Sequence, residues 1–259
     1  IKDDVPSVLF FGAEGGVTLD ETVDNGDDDG DGDPLAQATF SVFSFLDVDY
    51  GADEQGGIPA FALSLAQNGA DSGLVDTETG DPVLLTLEAG DIVGRNGDGD
   101  EVFRITYDPN TDEITAIQLR ALHHPDPNDP DEAGSPLSID PNLVFLQVTV
   151  TDGDGDTDQA TLDLGDRIWF EDDGPAANLS GAEGAEIRLD ETENDGDDTA
   201  VDGLLASVTV AAADLFADNT EFGSDGPGAA GGKAYALTLS AEGVDSGLVD
   251  TESGGAILL

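Results

Sequence analysis

The chain has 259 residues, with 7 Lys and Arg against 58 Asp and Glu, a formal net charge of −51, and no cysteine. That balance excludes nucleic acid and anionic membrane surfaces as partners, since both call for clustered lysine and arginine. The lack of cysteine excludes disulfides and thiolate metal sites, and no apolar run approaches the ~18 residues of a membrane-inserted helix. The charge points to cations, because uncompensated charge of this size destabilises a compact state through self-repulsion, and it fits either specific divalent sites or a diffuse acidic surface suited to high salt or solubility.

In chain order, the run from Asp24 to Asp33 holds no residue that can pack and reads as a loop. Thr39-Phe-Ser-Val-Phe-Ser-Phe-Leu46 and Phe61-Ala-Leu-Ser-Leu65 alternate apolar and small polar residues, as half-buried strands do. Asp71–Asp81 reads as a turn-rich connection into the short strand Val83–Leu87. Arg95–Glu101 is expected to be a hairpin loop between Asp91–Val93 and Val102–Tyr107, and Ile114–Leu119 a further strand. Three prolines between His123 and Asp131 break regular structure. Leu143–Thr151 and Gln159–Leu164 flank Asp152–Asp158 as the clearest hairpin. The only helical expectation is a turn or two around Ala211–Phe216.

Much of this pattern occurs twice. Asp3-Asp4-Val5-Pro6, Gly12-Ala-Glu-Gly15 and Leu19-Asp-Glu-Thr22 return as Asp172-Asp173-Gly174-Pro175, Gly181-Ala-Glu-Gly184 and Leu189-Asp-Glu-Thr192. Phe61-Ala-Leu-Ser-Leu and Asp71-Ser-Gly-Leu-Val-Asp-Thr-Glu78 return 174 positions later, beginning at Tyr235 and Asp245. A period of domain size means tandem domains and not solenoid rungs. Residues 1–169 are read as one complete repeat, and 170–259 as the N-terminal half of a second, truncated or interrupted by an insertion. The fold expected is all-β: tandem immunoglobulin-like antiparallel β-sandwich domains, the second copy incomplete.

Candidate chemistry lies in the carboxylates. Asp152-Gly-Asp-Gly-Asp-Thr-Asp158 spaces acidic side chains with glycines, so a tight loop can turn several hard oxygens onto one calcium ion. Counted as an EF-hand loop, Asp152, Asp154 and Asp156 take ligand positions 1, 3 and 5, and Asp163 position 12. Thr157 at position 6 and flanking strands make it a calcium-binding β-hairpin loop instead. Asn96, Asp98 and Asp100 repeat the pattern one unit shorter. At the junction, Asp172 and Asp173 precede a stiffening proline, and Asp190 and Glu191 recur soon after. Close carboxylate pairs repel by roughly 1 kcal/mol in water and more when partly buried, which gives a bridging cation an electrostatic reason there. The twice-occurring Asp-Ser-Gly-Leu-Val-Asp-Thr-Glu string reads as a structural turn, with Gly73 and Gly247 supplying unusual backbone angles. Enzyme chemistry finds no support: His123 and His124 sit in a proline-broken loop, and neither a nucleophile elbow nor a P-loop occurs.

Taken together, the Asp-Asp-x-Pro junction, Leu-Asp-Glu-Thr, Asp-Ser-Gly-Leu and the Val-Thr-Val-Thr-Asp-Gly-Asp-Gly-Asp-Thr-Asp hairpin resemble the tandem repeats of RTX-type giant adhesins exported by bacterial type I secretion. The resemblance implies calcium-dependent β-sandwich extender repeats of a secreted or cell-surface protein, supporting cell adhesion and biofilm formation. It places calcium on Asp152, Asp154, Asp156 and Asp158, and on Asp172 and Asp173 at the linker. Partners implied are calcium ions, neighbouring repeats, and surface glycans or host surfaces reached through other domains. The Gly-Gly-x-Gly-x-Asp nonapeptide array of that family is missing from this chain, as is its C-terminal secretion signal. A calcium-dependent carbohydrate-binding module and an accessory domain of a secreted hydrolase are the alternatives. The first would need exposed aromatics, for which Trp169 and three tyrosines are on offer.

Overall fold

The computed structural model describes residues 4–11, 16–21, 34–42, 46–125, 134–189, 206–227 and 231–259, and its regular structure is almost entirely β. Two compact units are present, Ile1–Gly226 and Pro227–Leu259, so residues 170–226 of the second sequence copy belong to the first unit.

Up to Glu171 the strands of the first unit are β1 (Ser7–Phe10), β2 (Val17–Asp20), β3 (Ala36–Ser41), β4 (Leu46–Asp49), β5 (Ala60–Leu65), β6 (Ala70–Val75), β7 (Pro82–Glu88), β8 (Asp91–Arg95), β9 (Glu101–Asp108), β10 (Glu113–Gln118), β11 (Leu137–Ser138), β12 (Val144–Thr151), β13 (Thr157–Asp163) and β14 (Ile168–Glu171). Strands β6 to β10 form an antiparallel meander, and β3 adds beyond β10 to complete six strands. A second antiparallel sheet has the order β13-β12-β5, and β1 pairs with β4. The third, β11-β14-β2, departs from the antiparallel rule, because β14 runs parallel to β2.

Alternation in the sequence decides which faces meet. Along β12, Val144, Leu146, Val148 and Val150 are fully buried while the residues between them are half-exposed, the period of two that a one-sided strand demands. Val144 and Leu146, with Leu63 of β5, join a core that also holds Leu85, Ile92, Phe103, Ile105 and Ile114 of the six-stranded sheet. Leu19, Ile168 and Phe170 bring in the third sheet, and the Phe103 and Phe170 rings lie 5.6 Å apart at 51°. Antiparallel sheets around shared apolar faces fit the β-sandwich expectation.

One element differs from expectation. Asp71–Val75 is not simply a turn: it lies in β6, the last strand of the six-stranded sheet, with an irregular register between Asp71 and Val75. Gly73 takes φ +84° there, and a side chain would meet the Asp140 carboxylate at 2.8 Å. Asp, Ser and Gly are poor strand formers, so a bulged edge strand is indistinguishable by composition from a loop.

The sequence repeat is reproduced in local geometry. In the second copy β15 (Leu179–Gly181) pairs with β16 (Phe216–Asp218), after a single helical turn α1 (Ala212–Leu215), and Ala176 bridges Glu221, as Ser7 pairs with Asp49 in the first. In the second unit β17 (Asp245–Val249) and β18 (Ala256–Leu258) repeat the bulge of β6 and β7. Asp245 Oδ1 accepts from the Gly247 N–H at 2.8 Å, as Asp71 Oδ1 does from Gly73 at 3.0 Å. Burial is not reproduced. Leu63 and Leu74 are 5% and 1% exposed, whereas their counterparts Leu237 and Leu248 are 105% and 63% exposed.

Candidate cation sites

The first carboxylate group forms at the β12–β13 hairpin. After the last pair, Thr151 with Thr157, the loop closes through the Asp152 N–H to the Asp156 carbonyl at 3.0 Å. Asp152 Oδ1 accepts from the N–H groups of Gly155 at 3.1 Å and Asp156 at 2.8 Å, so one carboxylate oxygen organises the turn. Gly155 permits it with φ +104°. The other oxygen, Oδ2, is buried without a hydrogen-bond partner, on a residue only 1% exposed. Such an orphan costs roughly 1–3 kcal/mol.

A second loop reaches this point. Gly51–Asp53 forms a 3₁₀ turn, Gln55 bridges Asp152, and the Gly56 N–H donates to the Thr151 carbonyl at 3.0 Å. The loops cross closely enough that a Cβ on Gly56 would lie 1.6 Å from the Asp152 carbonyl oxygen, and one on Gly153 2.1 Å from that of Asp53. The crossing sets Asp53, Asp152 and Asp154 with one carboxylate oxygen each, all within 4.8 Å of one another. An all-oxygen, all-anionic set open to solvent at Asp53 and Asp154 matches the chemistry of a hard divalent cation that keeps water ligands.

Other residues expected at this loop are used elsewhere. Asp156 lends its backbone to the turn, and Asp158 Oδ2 accepts the Val8 N–H at 2.9 Å, tying the hairpin to β1. Asp163 is not brought to the loop. Its strand stays extended and ends opposite Phe145, about 20 Å away at ~3.3 Å per residue. There its two oxygens accept the N–H groups of Gly165 at 3.0 Å and Asn142 at 2.6 Å.

The Asn96 side chain is spent on its own loop and on a neighbouring ion pair. Asn96, 4% exposed, spends Oδ1 on the N–H groups of Asp98 and Asp100, and its Nδ2 donates to Asp76 Oδ2 at 3.0 Å. Fully buried Asp76 also receives Arg120 Nε at 2.7 Å and the Thr79 N–H at 2.9 Å, and Arg120 reaches on to Glu78. Burial pushes the Asp76 carboxyl up, but Arg120, Thr79 and Asn96 together outweigh it and hold it below the usual carboxylate range. Among the described residues Asp98 and Asp100 join no three-carboxylate group. His123 and His124 join none either, and burial, helped by His123, pushes His124 down to about 4.

The second group forms at the junction. The parallel ladder pairs Phe170 with Leu19 and Glu171 with Asp20, and the Glu21 N–H donates to the Glu171 carbonyl at 3.3 Å. The same register sets Glu21 beside Asp172, and one oxygen each from Glu21, Asp172 and Asp173 lie within 4.8 Å of one another. Glu21 is 1% exposed. Its Oε1 accepts from Gln118 Nε2 at 2.5 Å and the Leu122 N–H at 3.5 Å, while Oε2 is buried without a partner. Desolvation, then the charges of Asp172, Asp225 and Asp173, push its carboxyl up to about 9 against the opposing Leu122 N–H. The carboxyl thus sits where its charge is poorly compensated, and a cation in the group would stabilise the ionised form. Asp190 and Glu191 lie outside the described residues, but Glu21 is the first-copy counterpart of Glu191 in the Leu-Asp-Glu-Thr string.

A family profile described as Domain of unknown function (DUF5801) matches residues 16–165 and 186–259. Neither a curated protein nor a solved structure matches the chain.

Proposed function

The chain belongs to the DUF5801 family, and we propose that it is a calcium-stabilised structural repeat, an extender segment of a secreted or cell-surface adhesin. The observation that supports this best is the buried, unpartnered Oδ2 of Asp152, a residue whose carboxylate converges with those of Asp53 and Asp154. Without a counter-ion the mutual repulsion of the three carboxylates and the unpartnered Oδ2 are both unfavourable, and only the two N–H groups on Oδ1 offset them. Calcium supplies the missing charge without requiring nitrogen or sulfur ligands.

The junction supports the second half of the reading. Glu21 comes from the start of the first repeat, and Asp172 and Asp173 from the boundary with the next. An ion held by both fixes the boundary, so the work of the segment is to set reach and stiffness between an anchor and distal binding domains. A net charge of −51 gives the same ion a role in secretion: with little free calcium inside the cell the chain stays loose, and outside it folds.

Thermal unfolding of the chain in millimolar calcium, in magnesium and in EGTA at fixed ionic strength tests the reading. The expected result is a rise specific to calcium; at a hundred times its Kd each site contributes about 2.7 kcal/mol. An unchanged melting temperature would leave the aspartates as a solvated surface and end the proposal.

A further inference from the structure

We infer that Asp4 is a positioning residue for the hairpin cation site: it clasps the turn that carries Asp53, and so sets that carboxylate beside Asp152 and Asp154. This rests on the reading of the hairpin group as a cation site, and assigns to it a residue that contributes no ligand.

Asp53 is the one member of the group that the hairpin does not itself supply. Asp152 and Asp154 stand on a single tight loop whose ends are fixed by the β12–β13 ladder, whereas Asp53 arrives on Gly51–Asp53, a 3₁₀ turn none of whose residues is buried. Such a turn has little apolar packing to hold it, so its place depends on hydrogen bonds. Two carboxylates accept them. Asp49 Oδ1 takes the Gly51 N–H at 2.9 Å, a local bond that moves with the turn. Asp4 Oδ2 takes the Ala52 N–H at 3.0 Å across 48 positions, and anchors the turn to the segment leading into β1. Gly51 makes room for this bond: its φ is +68°, and a Cβ there would lie 2.5 Å from Asp4 Oδ2, a combination that only glycine tolerates. The anchor is itself tied to the hairpin, because Asp158 Oδ2 accepts the Val8 N–H at 2.9 Å. Asp4 therefore closes a ring that runs from hairpin to β1, from β1 to turn, and from turn back to hairpin.

Immediately after Asp53 the backbone is strained. Glu54 takes φ +60° and ψ −177°, a region that glycine alone enters freely. A conformation of this kind persists only where its surroundings fix it from both sides. The far side is fixed by the Gly56 N–H on the Thr151 carbonyl, and the near side by the Ala52 N–H on Asp4. Releasing the near side lets Glu54 relax, and the Asp53 carboxylate moves with it.

The clasp recurs in the second copy. There the Ser224 N–H donates to Asp173 Oδ1 at 2.7 Å, Gly223 has φ +74°, and its Cβ would lie 2.4 Å from that oxygen. Asp173 is the counterpart of Asp4 in the Asp-Asp-x-Pro string, and Gly223-Ser224-Asp225 keeps the Gly-x-Asp order of Gly51-Ala52-Asp53. A clasp built in both copies is a property of the repeat and not one chance contact.

Calcium titration of the whole chain by calorimetry tests the assignment. Wild type is expected to bind at both carboxylate groups, and Asp53→Asn identifies the hairpin component as the one it weakens. Asp4→Ala should weaken that same component by roughly tenfold or more, as loss of a group that orients a ligand does, and leave the junction component unchanged. The unchanged component also reports that the variant is folded. Asp4→Asn keeps an oxygen for the Ala52 N–H and should bind as wild type does. Added to Asp53→Asn, Asp4→Ala should have no further effect, because Asp4 acts through Asp53. Wild-type affinity in Asp4→Ala would overturn the assignment, and so would equal weakening in Asp4→Asn, which would make Asp4 a source of charge and not a clasp. Loss of both components in Asp4→Ala, or a full further loss in the double variant, would make Asp4 a general support of the fold and overturn it too. Each of these leaves the hairpin a cation site. Two components of wild-type affinity in Asp53→Asn, or no calcium binding by wild type, would end that reading as well.

Discussion

Replacing Asp152 with asparagine should change stability in opposite directions with and without calcium. The substitution keeps Oδ1, which holds the Gly155 and Asp156 N–H groups, and exchanges the orphaned Oδ2 for an NH₂ that can donate to Asp53 and Asp154. At 4.8 Å two carboxylates repel by about 1 kcal/mol in water and about 3.5 kcal/mol at an effective dielectric constant of 20. Asp53 and Asp154 are exposed, so relief of roughly 1–3 kcal/mol is the reasonable span. For a domain of this size that is about 2–10 °C. In EGTA, Asp152→Asn should therefore melt higher than wild type. In millimolar calcium the order should reverse, because wild type gains the binding energy that the neutral variant has largely lost. Differential scanning calorimetry of both proteins in both buffers provides the four values. A variant that melts lower by the same amount in each buffer would refute the argument, and show that Asp152 only organises the turn.

Two further outcomes separate the proposed cation sites from the Asp76–Arg120 pair. Arg120→Met should cost about 3–5 kcal/mol in urea unfolding, equally in calcium and EGTA, because it leaves Asp76 charged and buried beside the Asn96 amide. The same pair sets an acid limit. Asp76 is held below its ordinary value when folded, so its contribution is whole above about pH 4 and lost as pH falls through the lower folded value. Urea midpoints between pH 6 and pH 3 should fall steeply at the acid end for wild type and less so for Asp76→Asn.

The hairpin and the two loop carboxylates that converge with Asp53 were legible because strand alternation on either side of Asp-Gly-Asp-Gly-Asp leaves the backbone little choice. Asp53 was not, since it arrives from a turn a hundred residues earlier and meets Asp152 only through glycine-to-backbone crossings that composition does not reveal. Glu21 was half visible. Its string was recognised as repeated, and its proximity to Asp172 follows from the parallel pairing of β2 with β14, a non-local register. Asp163 was misplaced by counting positions as though the chain curled round an ion, whereas β13 runs on extended. At Asn96 the tight loop forms as its composition implies, but the Asn96 side chain is spent on the loop's own N–H groups and on Asp76, which Arg120 pairs.

The parallel contact between β2 and β14 joins strands near the two ends of the first repeat. Tension applied through the chain would draw Val17 and Glu171 apart along the strand axis, so the four residue pairs of that ladder bear the load in shear, all together, instead of peeling one at a time. Glu21 and Asp172 lie just past the end of the ladder. A cation gripping them would act as a rivet, and the force at which this ladder parts would then rise with the concentration of that cation.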